Sequence, residues 1–256
     1  MKELGLLATA VGFLFLLPMN AYGVDLTVRC GAREGLSTIN AALRILNPAG
    51  PNTLAVSGAC KENVEIHGFN RLILSGRPGA SINDASGGVG IVVNIEDSTD
   101  VTLRGLIVNG GAVGVLCGDF SVCRFEQDTI QGAVGVGVQE FQSRAGFRST
   151  TLQNNGVGLV SLESSSVRSF GELVIQQNSI SGVDLDTGGS FASFGDTIRD
   201  NGGNGIEANN HASLLMLGTT VTGNSFNGVV VVGQSAADIE SDNVITGNGH
   251  STAAFW

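Results

Sequence analysis

Two carboxylates, Asp184 and Glu207, lie 23 residues apart in short segments that share one pattern. Apolar and polar residues alternate in residues 183–186 and 206–209, as they do in a strand with one buried face. If these segments stack as neighbouring strands, the carboxylates come within roughly 5 Å, close enough to separate their pKa values for acid–base catalysis. Asp184 and Glu207 are therefore candidate catalytic residues. The alternative is a solvated acidic face that keeps the protein soluble.

The remaining residue types offer no second catalytic set and no metal centre. His67, His211 and His250 are scattered along the chain, which argues against a zinc site. Residues 202–207 resemble one unit of a calcium-binding repeat, but the match occurs only once. We therefore predict no cofactor and no metal. Calcium would be compatible with the composition, but no motif supports it.

The segments that would position these side chains belong to an internal repeat. Gly and Asn interrupt the apolar pattern every six to eight residues, which excludes long helices and predicts coils of three short strands. An apolar residue recurs at intervals of 23, 22, 23, 23, 23 and 24 residues, as Ile107, Ile130, Leu152, Ile175, Ile198, Val221 and Ile245. Three residues further along, five successive coils carry Asn155, Asn178, Asn201, Asn224 and Asn248. We expect this column to be an internal structural ladder rather than a binding site.

Two further columns follow the same repeat. One is aromatic, and we predict that it lies in the core rather than forming a platform for sugars: Phe125, Phe147, Phe170 and Phe194. The other is predicted to be a polar ladder that faces outward: Gln131, Gln153 and Gln176.

These columns resemble the right-handed parallel β-helix repeat of the pectate-lyase-like superfamily, in its bacterial secreted branch. Residues 196–206 and 219–229 are similar to the consensus of that repeat, and residues 58–66 resemble its first-coil pattern G-x-C-x-E-N-V-x-I. The resemblance covers residues 25–250 and implies an all-β solenoid with coils of about 23 residues. It also implies polysaccharide as the class of substrate or partner. The characteristic motifs of its polygalacturonases and pectate lyases are missing, and those of its pectin methylesterases match only in fragments.

The chain ends are predicted to differ from the repeat. Lys2 precedes an uncharged apolar run that ends in Ala21-Tyr22-Gly23, which is the pattern of a cleaved signal peptide; an uncleaved anchor is the alternative. Residues 37–46 have helical apolar spacing, and the resemblance implies that such a helix caps the first coil. The predicted organisation is a signal peptide over 1–23, a cap with a short helix over 24–52, a β-helix over 53–250 and a tail over 251–256.

Export permits disulfides, and the four cysteines allow three pairings. We favour the local solution, in which Cys30 pairs with Cys60 and Cys117 with Cys123. A formal net charge of −10 argues against a nucleic-acid partner, and a hydrophobic content of 42% excludes a disordered chain. No transmembrane span is expected after cleavage of the signal peptide, so the protein is predicted to be secreted, periplasmic or on the cell surface.

Two functions remain open at this stage. The first is an extracellular or cell-surface binding or scaffold protein without catalysis. The alternative is a carbohydrate-active enzyme, of the polysaccharide lyase or glycoside hydrolase type, with Asp184 and Glu207 as its carboxylates. Scarce Trp and Tyr argue against an ordinary sugar-binding groove. A bare C-terminal edge of the solenoid would allow an oligomer.

Overall fold

The chain winds into a solenoid in which three short parallel strands recur in every coil. The computed structural model describes residues 23–250 and 253–255, so the predicted signal peptide, except for Gly23, lies outside the described residues. Gly, Asn and Ser at the corners end each strand after three to seven residues. The chain makes eight full turns between β2 and β26 of the first sheet.

Three parallel sheets line the solenoid. Sheet 1 comprises β1 (Val24–Arg29), β2 (Asn52–Ser57), β5 (Asn70–Gly76), β8 (Thr99–Arg104), β11 (Val122–Glu126), β14 (Arg144–Arg148), β17 (Ser166–Ser169), β20 (Ser190–Phe194), β23 (Ser213–Leu217) and β26 (Ala236–Ile239). Sheet 2 comprises β3 (Ala59–Lys61), β6 (Ser81–Asn83), β9 (Ile107–Asn109), β12 (Thr129–Gln131), β15 (Thr151–Gln153), β18 (Val174–Gln176), β21 (Thr197–Arg199), β24 (Thr220–Thr222) and β27 (Val244–Thr246). Sheet 3 comprises β4 (Val64–His67), β7 (Ile91–Glu96), β10 (Val113–Cys117), β13 (Val136–Phe141), β16 (Val157–Leu162), β19 (Ser181–Leu185), β22 (Ile206–Ala208), β25 (Val229–Val231) and β28 (Ala253–Phe255).

This architecture confirms the predicted all-β parallel solenoid and its short N-terminal helix. Helix α1 (Ile39–Leu43) is shorter than the predicted residues 37–46 and buries Ile39, Ala42 and Leu43 against β1, β2 and β4. The carboxylate of Glu62 accepts hydrogen bonds from the N–H groups of Ile39 at 2.7 Å and Asn40 at 3.0 Å. These bonds satisfy donors that the first turn of a helix leaves unpaired.

The solenoid extends into the residues predicted as cap and tail. Strand β1 pairs in parallel with β2, and β28 pairs with β25. No helix within the described residues is long and apolar enough to cross a membrane.

The core consists of aliphatic columns that face inward from all three sheets, as in Val183, Ile206 and Val229. Phe125 and Phe147 are fully buried, and their rings stack with centroids 4.6 Å apart. Because the coils stack in register, each inward aliphatic side chain buries its surface against the side chain at the equivalent position of the next coil. Each fully buried side chain contributes roughly 1.5–3 kcal/mol.

The asparagine column forms the predicted internal ladder. The N–H groups of Asn155, Asn178, Asn201 and Asn224 each donate to the Oδ1 atom of the next member, at 3.0–3.1 Å, and Asn248 ends the series. The first four side chains are buried at the corner between sheets 2 and 3. The outward glutamine ladder is present as well, with side-chain hydrogen bonds of 2.9 and 2.8 Å linking Gln131, Gln153 and Gln176.

The disulfides join Cys30 to Cys60 and Cys117 to Cys123, as predicted. Cys30, Cys60 and Glu62 lie close together. The two sulfurs are bonded to each other and the Glu62 carboxylate holds α1, so this cluster is structural.

Candidate functional site

The candidate carboxylates lie on adjacent strands of sheet 3. Asp184 of β19 is in register with Glu207 of β22, and both face outward, since their neighbours Val183 and Ile206 are fully buried. The same outward column continues with Val160 before Asp184 and Val230 after Glu207. The structure therefore brings the predicted pair together, between two apolar side chains.

The surroundings of the two carboxylates differ. Burial raises the pKa of Asp184, and the negative charges of Glu207 and Asp186 raise it further. The Glu207 carboxylate accepts hydrogen bonds from the side-chain amides of Asn204 at 2.9 Å and Asn209 at 3.2 Å, whereas Asp184 Oδ1 is buried without a partner. Adjacent carboxylates in unlike settings are an arrangement that acid–base catalysis uses.

Two further carboxyls are buried at the corner between sheets 1 and 2. Burial raises the pKa of Asp128 to about 7, although its carboxylate accepts N–H bonds from Leu106 at 2.8 Å and Glu126 at 3.0 Å. Burial also raises the pKa of Asp196, which accepts an N–H bond from Leu173 at 3.2 Å. Both carboxylates accept hydrogen bonds from backbone N–H groups at a tight corner, and this is a structural role.

A third buried carboxyl, Glu140, lies in the core of the solenoid. It is in register with Cys117 and Ser161 and is completely buried, and this burial raises its pKa to about 8. Its Oε2 accepts a hydrogen bond of 2.5 Å from the hydroxyl of Ser143, and its Oε1 has no partner. Sequence analysis missed it because Gln139 and Glu140 are adjacent, and the pattern does not say which of them faces inward.

The outer face of sheet 1 carries a group of arginines that sequence analysis also missed. They come from the consecutive strands β8, β11, β14 and β17 and are exposed: Arg104, Arg124, Arg144, Arg148 and Arg168. Arg104 pairs with Glu126 at 2.7 Å, and Arg124 pairs with Asp100. Within the described residues the other three form no ion pair. The net charge of −10 concealed this local positive face; the available signal was the grouping of five arginines between residues 104 and 168.

An exposed aromatic ring lies among these arginines. Phe170 is 53% exposed, and the guanidinium carbons of Arg148 and Arg168 lie 5.9 and 5.5 Å from its ring centroid. Gly146 leaves room for the ring, because a Cβ there would lie 3.0 Å from a ring carbon of Phe170. Arg168 also lies 4.7 Å from the ring centroid of Phe194. The result is a mixed aromatic and cationic surface.

The prediction that the whole phenylalanine column lies in the core is wrong for Phe170 and for Phe194. Phe194 alternates with the buried Phe191 and Ser193 and therefore lies on the outer face of β20. Phe147 is in register with Phe125 on one side and with Ser169, not Phe170, on the other. The repeat from Phe147 is 22 residues here rather than the 23 assumed, so Phe170 falls on the opposite face of the strand.

Two concavities follow this face. A groove of about 450 Å³ is lined by residues that include Arg71, Arg104, Arg124 and Glu126. A shallower one of about 180 Å³ shares Arg124 and Glu126 with it and continues to Arg148 and Phe170. Together they form a trough across successive coils, which we call the arginine trough. Asp184 and Glu207 lie outside it, on sheet 3.

Comparison with known proteins gives a family match and structural neighbours. A family model described as a right-handed β-helix region matches residues 89–249. A comparison with curated protein sequences finds no match. The crystal structure of the pectate lyase Pel9A superposes with a TM-score of 0.65 and 13% identity, over 91% of this chain and 77% of that chain. An alginate lyase from Paenibacillus sp. str. FPU-7 gives a TM-score of 0.47 and 16% identity, over 90% of this chain and 97% of that chain. At this identity the likeness to Pel9A concerns the fold.

Proposed function

The chain belongs to the right-handed β-helix family, and from this premise we propose that it is an extracellular protein that binds an anionic polysaccharide in the arginine trough. The observation that carries the proposal is that Arg148, which lines the trough, and Arg168, which lies against the trough's Phe170, have no acidic partner within the described residues, on a chain with a net charge of −10. Guanidinium groups bind carboxylates through paired, charge-assisted hydrogen bonds. A random distribution of charge over the surface would not place these arginines together on one face.

The geometry of the trough fits an extended polymer. Successive strands place equivalent side chains about 4.8 Å apart along the solenoid axis, so one chain lying along that axis meets several coils in turn. Phe170 supplies an exposed apolar surface on which a sugar ring can pack, and its flanking guanidinium groups can reach acidic substituents. The two disulfides are compatible with an oxidising, extracellular setting. Binding without turnover agrees with the first of the two functions predicted from the sequence.

We expect the wild-type protein to bind polygalacturonate, and the double variant Arg148→Gln/Arg168→Gln to bind it at least about tenfold more weakly. Each lost charge-assisted bond removes a contribution of about 1 kcal/mol or more. Isothermal titration calorimetry at two salt concentrations measures the effect, because a charge-based interaction weakens as ionic strength rises.

Arg199→Gln is the matched control, since Arg199 is an exposed arginine on sheet 2. It should leave affinity unchanged. Equal affinity for neutral dextran and polygalacturonate, or equal loss in the control and the double variant, would contradict the proposal.

The second candidate function is a glycoside hydrolase or polysaccharide lyase that uses Asp184 and Glu207. The observation in its favour is their register on adjacent strands, with burial raising the pKa of Asp184 so that it keeps its proton more readily. In this role Asp184 would protonate the leaving oxygen, and Glu207 would act as base or nucleophile.

If this second function operates, Asp184→Asn and Glu207→Gln should each reduce turnover by about 100-fold or more. Reducing-sugar release and ultraviolet absorbance of unsaturated products measure turnover over a panel of polysaccharides. Glu65→Gln is the control, because Glu65 is an exposed carboxylate on the same sheet. If the wild-type protein binds polysaccharide but turns over none of the polymers tested, the pair has no catalytic role.

A further inference from the structure

One coil is shorter than its neighbours at the corner between sheet 3 and sheet 1. The registers of the flanking strands make residues 118–121, 141–143 and 162–165 the equivalent connections of three successive coils. The middle connection has three residues and the others four. The residue missing from the middle coil opens a notch of about 500 Å³ between its neighbours. This volume lies within the range of small-molecule sites.

We call this concavity the corner notch; its lining includes Phe120, Gln142, Ser143, Arg144, Glu163 and Ser164. It is separate from the proposed catalytic pair on sheet 3. The notch and the arginine trough share no lining residue, although Arg144 of the notch lies on the same strand, β14, as Arg148 of the trough.

Phe120 is held at the notch in the left-handed conformation that recurs at this corner, as at Ser164 and His211 in later coils. It is 78% exposed and has a φ of +61°, after Asp119 with a φ of +48°. The left-handed region is strained for a bulky side chain, and such strain persists only where the surroundings impose it. The disulfide between Cys117 and Cys123 closes this loop, and the N–H of Phe120 donates to the carbonyl of Gln142 at 3.0 Å. The structure thus presents an aromatic ring to solvent that ordinary packing would bury.

Ser143, which lines the notch, has hydrogen-bonding capacity that its equivalents lack. At this corner, the hydroxyl oxygens of Ser98, Ser121 and Ser165 accept a backbone N–H from the preceding coil. The hydroxyl of Ser143 instead donates to Glu140, and the N–H of Ser121 goes to the carbonyl of Gly118. No described group therefore donates to the oxygen of Ser143, but this hydroxyl is buried and bonded to the core carboxylate of Glu140, so it belongs to the core rather than to the notch.

The charges lining the notch balance. Arg144 contributes one positive charge, Glu163 contributes one negative charge, and neither forms an ion pair within the described residues. Gln142 and Ser164 add neutral donors and acceptors. Such a lining suits a neutral ligand with many hydroxyl groups and one apolar face, which is the chemistry of a pyranose sugar.

We propose that the corner notch binds a single neutral pyranose residue. Phe120 packs against the C–H face of the sugar, Arg144 and Glu163 bond its hydroxyls, and the side chains of Gln142 and Ser164 supply further donors and acceptors. The site rests on the notch alone and does not depend on binding of an anionic polymer in the trough.

Saturation-transfer NMR with three probes tests the site: the methyl glycosides of galactose, glucose and mannose. At least one should bind the wild-type protein, and Phe120→Ala should weaken it by about fivefold or more, since an aromatic contact contributes roughly 1 kcal/mol. Insertion of one serine between Gln142 and Ser143 restores the four-residue connection and should abolish binding while the fold, checked by circular dichroism, is kept. Phe226→Ala is the control, because Phe226 is 50% exposed and lies outside the notch.

Three results would overturn the proposal: no transfer to any of the three glycosides, equal loss in Phe120→Ala and Phe226→Ala, or tighter binding of glucuronate than of its neutral counterpart. Polygalacturonate titrations of the insertion variant separate the two sites. If the insertion variant keeps polymer binding and loses glycoside binding, the notch has its own ligand. If it keeps both, the notch proposal is contradicted while the trough proposal stands.

Discussion

Replacing Asn201 by alanine is expected to lower the free energy of unfolding by about 3–5 kcal/mol, because the change breaks the ladder at its centre. The Oδ1 of Asn201 accepts hydrogen bonds from both the N–H and the Nδ2 of Asn178, each at 3.0 Å. Its own Nδ2 donates to Asn224 Oδ1 at 2.9 Å and to the carbonyl of Ile175 at 3.3 Å. Alanine leaves these groups unpaired in a buried corner, where water cannot replace the missing partner.

Urea unfolding followed by circular dichroism measures the loss. Hydrogen exchange adds a local test, because the amide of Asn178 should lose protection in the variant. Asn154→Gly is the matched control: Asn154 is an exposed asparagine of the same corner with a φ of +55°, which glycine adopts without strain. A loss in Asn201→Ala no larger than in the control would show that the ladder contributes little.

Replacing Glu140 by glutamine is expected to stabilise the protein at alkaline pH, by roughly 2–5 kcal/mol above about pH 8. Burial raises the pKa of this carboxyl from an ordinary 4.5 to about 8. Between these two values the folded chain holds a proton that the unfolded chain has released. Stability of the wild-type protein therefore falls as pH rises through this window, and the fall is complete above the folded pKa.

The glutamine variant lacks this titration, so the difference between the two proteins should be small near pH 4 and should reach a plateau above about pH 8. Unfolding free energies at several pH values measure it. Glu65→Gln, on the exposed face of the same sheet, is the control and should change stability by less than about 0.5 kcal/mol at every pH. A stability difference for Glu140→Gln that does not grow with pH would contradict an ionisable group buried in the core.

The repeat made much of the fold predictable. The column from Asn155 to Asn248 and the register of Asp184 with Glu207 follow from spacing alone. Residues that are separated by one coil length in the sequence lie next to each other once the coils stack. The pairing of Cys30 with Cys60 and of Cys117 with Cys123 followed from proximity along the chain.

Features that depend on a single residue at a corner could not be predicted in the same way. Phe170 was assigned to the core because the interval to Phe147 was taken as 23, whereas the register partner is Ser169. The group of five exposed arginines on sheet 1 was missed because its members occupy three different columns, so no fixed interval joins them. The corner notch depends on one absent residue, which leaves little trace in the apolar pattern.

The sequence by itself determined the class of structure, the length of the coil and the residues that stack on one another, because each of these is a property of periodic spacing. The tertiary structure alone decided which face Glu140 and Phe170 occupy and which columns meet across a corner. The physical reason is that strands of three to seven residues are too short for alternation to establish their orientation in every case. One residue more or less at a corner changes the interval between equivalent positions without changing the pairing of the strands, and so Phe170 falls beside the core column and the notch opens beside Phe120.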